Sequence, residues 1–433
     1  MKPFQPVERV LRSERQAMAC LLGLTLVLCA EPISANTLET NARQRPAPQG
    51  DTGGILRLED FGAVPVRGAD RHDETHAGSN VTAFGRALAA LPHGGRIQVG
   101  PGTFFLNAGI VLKSSIWLQG SGGSNSGMAT RYGIGGTVFR PTKGATIPKL
   151  FYSQITSQRV RLSDFSVIGG ARTKTGVVYD AEVGAAVHLV GLSHEVDGLG
   201  VYNISGDGIW MGDKTIKSPP YYWIFWLRNS SVHFCGGYGI RVETTDGFIS
   251  NNYAGNNGRG SVSFGGGNIW TANHFDNSHD PAFASLTVEL QGGRGGRHTA
   301  EQILGNYFDV GEVGLRIRGS ARNPVNFMSM IGNNFFRANR VLDIHVVGVR
   351  NPVIDGFLSN KGGMPCVQTR HSVRFEHCPG NRIVRNGRWD ASWPVSLQVV
   401  DPDGEPVTHF LNCVQDGTVL PPVPSPVLKG AED

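Results

Sequence analysis

The sequence predicts an all-β fold: a single-stranded right-handed parallel β-helix closed by one N-terminal capping helix. Glycine supplies 59 of the 433 residues, about twice its usual ~7% share. It follows no collagen-like period, so it marks many turns. A second observation is a repeat. Each unit runs from an apolar residue through Asn-x-aromatic and a turn to Gly-aliphatic-x-aliphatic, as in ILGNYF then VGLRIRG and in MIGNNFF then RVLDIHV. Anchoring on the aliphatic of the last strand gives Ile209, Ile240, Val262, Leu286, Leu315 and Leu342, with gaps of 31, 22, 24, 29 and 27 residues. Such a period without helices describes a solenoid with loops of unequal length. Finally, only one segment has a helical period.

The elements follow in order. Lys2, Arg9, Arg12 and Arg15 precede the apolar run Ala17 to Ala30, and small residues follow it. Residues 1–35 therefore read as an export signal too short to anchor the chain in a membrane. The place of action is then extracytoplasmic, periplasmic or secreted. Residues 36–54 are polar and breaker-rich, a linker. Phe84, Leu88 and Leu91 recur at i, i+4 and i+7, which predicts the helix, with Ser79 or Asn80 as its cap and Gly94–Gly95 ending it. The solenoid is expected over 55–390, its recurrent asparagines (Asn251 or Asn252, Asn273, Asn306, Asn333 or Asn334) stacking as a ladder at one turn. Residues 391–433 are left as a C-terminal tail. The run at 219–229, PPYYWIFWLRN, reads as an aromatic loop packed over the solenoid flank.

Charge narrows the partners. Charged residues make up only 17% of the chain and the net charge is +5, which favours anions. There is no run of Lys/Arg with interleaved aromatics of the kind a nucleic-acid surface needs. Four cysteines remain after the signal (Cys235, Cys366, Cys378 and Cys413), which read either as structural or buried thiols or as two disulfides with three connectivities open, Cys366 and Cys378 being the favoured pair by nearness. No Cys/His spacing suggests zinc.

Asp60-Phe61-Gly62-Ala63, the helix with Ala83, Phe84, Ala87 and Leu88, then Gly94 to Val99, Pro101-Gly102-Thr103-Phe104 and Ile116, Leu118, Gly120 and Gly122 resemble the opening of the pectate-lyase-like superfamily. That superfamily includes pectate lyases, rhamnogalacturonases, epimerases and phage tail-spike domains. The resemblance implies a right-handed β-helix that handles polysaccharide, as monomer or homotrimer, with the sugar groove on the strand after the third turn. It does not carry over catalytic residues. Ser278-His279-Asp280-Pro281 departs from the Asp-Pro-His-Asp motif of mannuronan epimerases, and the paired-aspartate motifs of polygalacturonases are absent.

The Gly-aliphatic-x-aliphatic strand matches the groove strand. In-register coils place outward residues in columns, ~4.8 Å per coil. The anchors predict one column of Trp210, Arg241, Ser261, Thr287, Arg316 and Asp343. Beside it come Gly212, Glu243, Ser263, Glu289, Arg318 and His345. Glu243 and Glu289, two coils and roughly 9–10 Å apart, approach the 6.5–9.5 Å of an inverting glycosidase. Arg318 would hold Glu289 ionised as base, and Glu243 beside Ser263 would keep the acid proton. This favours a glycoside hydrolase acting on an acidic polysaccharide.

A lyase would use the same face differently. Arg241, Arg316 and Arg318 would neutralise a uronate carboxylate, with His345, His279 or an arginine as base. A C5-epimerase or a noncatalytic spike- or adhesin-type glycan binder is the further alternative. Trp210 would stack on a sugar. The loops 275–285 and 291–298 would bring His279, Asp280, Arg294 and Arg297 to the rim of the Glu289 coil. No cofactor is expected, calcium at Asp276, Asp280, Asp309 and Glu312 being a minor alternative.

Overall fold

A computed structural model describes residues 54–66, 73–122, 136–173, 176–215, 223–264, 266–278, 282–290, 301–319, 330–360, 371–380 and 382–389, with short strands at 325–326, 397–400, 408–411, 414–415 and 418–419. The chain forms a right-handed parallel β-helix, with one α-helix among the described residues. One sheet stacks eleven strands from successive coils: Ile110–Leu112, Phe151–Ser153, Ala185–Leu189, Asp207–Gly212, Ile240–Glu243, Ser261–Ser263, Leu286–Glu289, Val313–Arg318, Leu342–Val347, His371–Glu376 and Leu397–Val400. A 23-stranded sheet carries the other two strands of each coil. The sheets continue past residue 390, where a tail was expected: Leu397–Val400 pairs with His371–Glu376, and Thr408–Leu411 with Arg382–Trp389. The expected signal and the expected linker up to residue 53 lie outside the described residues, as do Cys366 and Cys413.

Alternation builds the core. Ile209, Ile240, Leu286, Leu315 and Ile344 stack inward with no more than a trace of exposure, as do Met211, Val242, Val288, Ile317 and Val346. Each such side chain contributes ~1.5–3 kcal/mol on burial. The aromatic of Asn-x-aromatic also turns inward: Phe275, Phe308 and Phe336 stack with centroids 5.3 and 4.9 Å apart.

The asparagine ladder resolves to Asn252, Asn273, Asn306 and Asn334. Each side-chain carbonyl accepts the backbone N–H of the residue one coil earlier, at 3.0 Å in every step from Ser230 onward. Each amide donates to a strand carbonyl, of Leu227, Ile249, Trp270 and Ile303 in turn, all at 2.9 Å. The residue before the ladder sits at positive φ in each of these coils: Asn229, Asn251, Ala272, Gly305 and Asn333. That bend strips the backbone of strand partners, and the amides replace them.

The helix runs Ala77–Ala90 and starts before either expected cap. Ser79 Oγ donates to His76 O, while Asn80 lies inside the helix and is buried. Its Oδ1 accepts Val64 N–H and its Nδ2 donates to Phe105 O, so the amide ties helix to solenoid. Phe84 is fully buried with centroids 5.7 Å from Phe139 and 6.1 Å from Phe151. The helix thus covers the apolar end of the first coils.

Two registers differ from expectation. Val262 pairs with Arg241 and Thr287, so it faces outward, and Ser261 and Ser263 turn inward. A one-residue slip exchanges the faces of a strand. The inward serine has a partner: Ser263 Oγ donates to the buried carboxylate of Glu301. Leu342 pairs with Val313 and Ile344 with Leu315, a shift of two from the expected anchor. The aromatic run at 219–229 is also no loop in its described part, since Trp223–Arg228 is a strand paired with Thr245–Ser250.

Candidate functional site

The outward positions of the eleven-stranded sheet form two columns. The first runs Tyr152, His188, Trp210, Arg241, Val262, Thr287, Arg316, His345 and Arg374. The second contains Gly212, Glu243, Glu289, Arg318, Val347 and Glu376. Between the two glutamates comes Phe264, which follows Ser263 and donates its N–H to Val242 O.

Toward the N-terminal end the face is internally satisfied. Trp210 points outward as expected, but both ring faces are covered. His188 stacks on one at 3.8 Å and the Arg241 guanidinium lies 3.8 Å from its centroid. A sugar finds no free face there. Burial pushes His188 down to about 4, so it is neutral, and its Nε2 donates to Gly212 O.

The Glu243 side chain has no exposure. It accepts from Arg241 Nε and Nη2 at 3.0 and 2.8 Å, from Trp210 Nε1 at 3.2 Å and from Lys214 N at 3.0 Å. Arg241 Nη1 goes to Asp207 at 3.0 Å. All three nitrogens of Arg241 thus serve protein carboxylates. The Lys214 ammonium sits 3.4 Å over the Phe264 ring and 3.8 Å from Glu243. Glu243 and Glu289 do lie two coils apart, but the coil between them is filled by a phenyl ring and an ammonium where a hydrolytic water was expected. The expected proximity of Glu243 to Ser263 is not formed, because Ser263 faces the core.

The cluster around Glu289 is different. Arg318 Nη1 donates to Glu289 Oε1 at 3.1 Å, with side-chain exposures of 51% and 23%. This pair forms as expected. Burial nonetheless raises the Glu289 pKa, against the opposing pull of Arg318, Arg316 and Lys214. Arg316 Nη1 donates to Ala282 O at 2.7 Å, so the loop entering this coil does reach the groove strand. Its buried Nε has no acceptor. Burial first, and then the neighbouring Arg318, lower the Arg316 pKa against the pull of Glu289 and Glu376.

His345 lies beside Arg316, not Arg318, through the register shift. It donates through Nε2 to Glu376 at 3.2 Å and is pushed down to about 4, chiefly by burial. Asp343 leaves the groove altogether. It is fully buried and accepts from Asn339 and Ser359. His279, Asp280, Arg294 and Arg297 lie outside the described residues. Asp309 is held bidentate by Arg337 and Glu312 by Arg340. Among the described residues no three His, Cys, Asp or Glu side chains are grouped to hold a metal ion.

The sequence reading missed Tyr238, from the turn before the Arg241 strand. Its ring meets Phe264 and Phe283 edge-on at 6.5 and 6.1 Å. Burial raises its pKa, with Arg259 and Arg241 opposing and Asp207 and Glu289 adding to the rise, so its hydroxyl stays protonated within the field of Glu289. Only Gly-Gly-Tyr-Gly before the strand hinted at a turn there. Lys214 and Glu376 were missed because their positions depend on register.

The architecture, a right-handed parallel β-helix, is shared with solved carbohydrate-active proteins. The A-module of the mannuronan C-5 epimerase AlgE4 of Azotobacter vinelandii superposes with a TM-score of 0.59 at 15% identity, over 83% of this chain and 95% of that one. The AlgE6 A-module from the same organism gives 0.56 at 16%, over 83% and 93%. The catalytic unit of a GH87 α-1,3-glucanase from Streptomyces thermodiastaticus gives 0.54 at 16%, over 85% and 70%. At these identities the likeness is one of fold. No protein-family model and no curated protein sequence matches the chain.

Proposed function

We propose that this chain is a carbohydrate-active enzyme that binds an anionic polysaccharide across the Glu289 coil and moves the proton next to a uronate carboxylate, by elimination or epimerisation. The observation that carries this reading is the Arg316–Arg318 pair. Arg318 is ion-paired to Glu289, whereas Arg316 feels Glu289 and Glu376 at longer range, gives its Nη1 to the Ala282 carbonyl and leaves its buried Nε without an acceptor. A substrate carboxylate supplies the missing charge, and the pair then stabilises the enolate-like charge that develops when the C5 proton leaves. Glu289, part-exposed with a raised pKa, suits the base, and protonated Tyr238 suits the donor on the other side of the transfer. Hydrolysis is the weaker reading because Glu243 is enclosed and already accepts four hydrogen bonds. Fold neighbours that act on mannuronan and on α-1,3-glucan support a polysaccharide substrate in general.

The test is to incubate the chain with a panel of uronans in deuterated water. Reducing ends, the ultraviolet absorbance of unsaturated uronate and deuterium at C5 are followed together. Absorbance rising with reducing ends identifies elimination, and deuterium without new ends identifies epimerisation. Reducing ends alone would overturn the proposal. Glu289→Gln is expected to lower the rate ~10²–10⁴-fold, the usual contribution of a positioned acid or base.

A further inference from the structure

A different face of the solenoid carries a feature the groove does not use. The outward column of the first strand in each coil includes Arg161, Glu195, Trp226, Phe248 and Ile269. Trp226 and Phe248 lie on adjacent coils, near-parallel at 10° with centroids 6.4 Å apart. Phe248 is 44% exposed, and Ile224 on the Trp226 strand is 39% exposed. An exposed phenyl ring on a regular sheet face, beside a second aromatic, needs a reason.

The surroundings limit what can cover it. Arg228 pairs with Asp197 at 3.0 Å and Arg161 with Glu195 at 3.5 Å. These charges neutralise one another, while their edges remain open to solvent as donors and acceptors. Two part-covered rings, each offering at most ~150–250 Å², fall far short of the ~800 Å² per partner of a stable protein interface. The exposed Asp246, two residues before Phe248 on the same strand, adds a negative charge to these two balanced pairs, so the rim offers no attraction to a polyanion. Exposed aromatic surface edged by paired guanidinium and carboxylate groups matches a pyranose, whose C–H face packs on an aromatic while its hydroxyls bond sideways.

We propose that Trp226 and Phe248 form a second glycan-binding platform, on which a remote stretch of polysaccharide is held by stacking and hydroxyl contacts and not by charge. The proposal rests on the reading of the chain as polysaccharide-acting, but its test does not require turnover.

The experiment is native affinity electrophoresis of the full chain and its Glu289→Gln variant through gels containing polygalacturonate, alginate or a neutral β-glucan, at low and at ~0.5 M salt, where groove charges are screened. Salt-resistant retardation is expected in at least one gel. It should fall at least fivefold in Phe248→Ala and in Trp226→Ala, with thermal midpoints near wild type. Phe248→Tyr, which keeps the ring, should retain it. Salt-resistant retardation unchanged in both alanine variants would overturn the platform, and so would its absence from all three gels. Loss of catalysis in Glu289→Gln with retardation intact separates the platform from the groove. Retardation without turnover in the wild type would fault the enzymatic reading alone.

Discussion

At the scale of single residues, burial raises the carboxyls of Glu289 and Glu301 alike, and the two differ in what offsets it. Glu289 has cations beside it. Its folded pKa is still raised, so the active base form is gained only as pH rises above the ordinary carboxylate range. Arg318→Gln removes the strongest opposing charge and should push the acidic limb of the kcat/KM profile further upward, besides weakening uronate binding. An acidic limb that stays in place would mean Glu289 is not the titrating base. Glu301 is met by dipoles, among them Ser263 Oγ, the N–H groups of Asn268 and the Trp270 side chain. It is fully buried and raised to about 7. The unfolded chain ionises this carboxyl near 4.5 while the folded chain resists until about 7. Its contribution to stability is therefore complete below 4.5 and is lost as pH climbs through that interval, on the order of 3 kcal/mol in all. Glu301→Gln, neutral throughout, should flatten the fall in thermal midpoint between pH 4.5 and 7. An unchanged slope would assign that fall to other groups.

At the scale of elements, the ladder and the register show what local sequence can and cannot specify. Asn273, Asn306 and their inward aromatics repeat so regularly that the turn, its stacked amides and the following strand were all legible. Asn273→Ala should orphan Ile249 O and the Asn252 N–H inside the stack. With ~1–3 kcal/mol for each buried group left unpaired, urea unfolding should show a loss of at least ~2 kcal/mol. Asn273→Asp, which keeps the acceptor but not the donor, should lose less at low pH than at high. Where the pattern weakened, the reading slipped. Ser-Val-Ser reads as Val inward by hydropathy alone, and only the distant Glu301, 38 residues along from Ser263, makes inward serine favourable. Leu342 and Ile344 are equally good anchors by pattern, and their choice moved Asp343 into the groove on paper and His345 into the wrong column. Glu289, Arg316 and Arg318 came together as expected because their strands pair without ambiguity. Tyr238 belongs to a turn with no period to read.

At the scale of the whole molecule, a solenoid is held coil to coil, so damage should stay near where it is made. The N-terminal end tests this. Phe84 sits in an aromatic cluster with Phe139, Phe151 and Phe165, all fully buried, and the helix that carries it covers the edge of the first coils. Phe84→Ala should cost ~3–5 kcal/mol as a cavity mutation. The loss should be borne by strands such as Gly95–Gln98, Gly102–Leu106 and Ile116–Gln119. Hydrogen exchange would show this as rapid labelling of those strands, with protection retained across Leu286–Glu289 and Val313–Arg318 some six coils away. Equal loss of protection in every coil would instead mean that the solenoid unfolds as one unit. In that case the helix guards the Glu289 groove as directly as any residue within it. If protection is lost only at the N-terminal end, the variant should keep its activity on soluble uronan while aggregating more readily, because an uncovered β-edge is open to pairing with another chain.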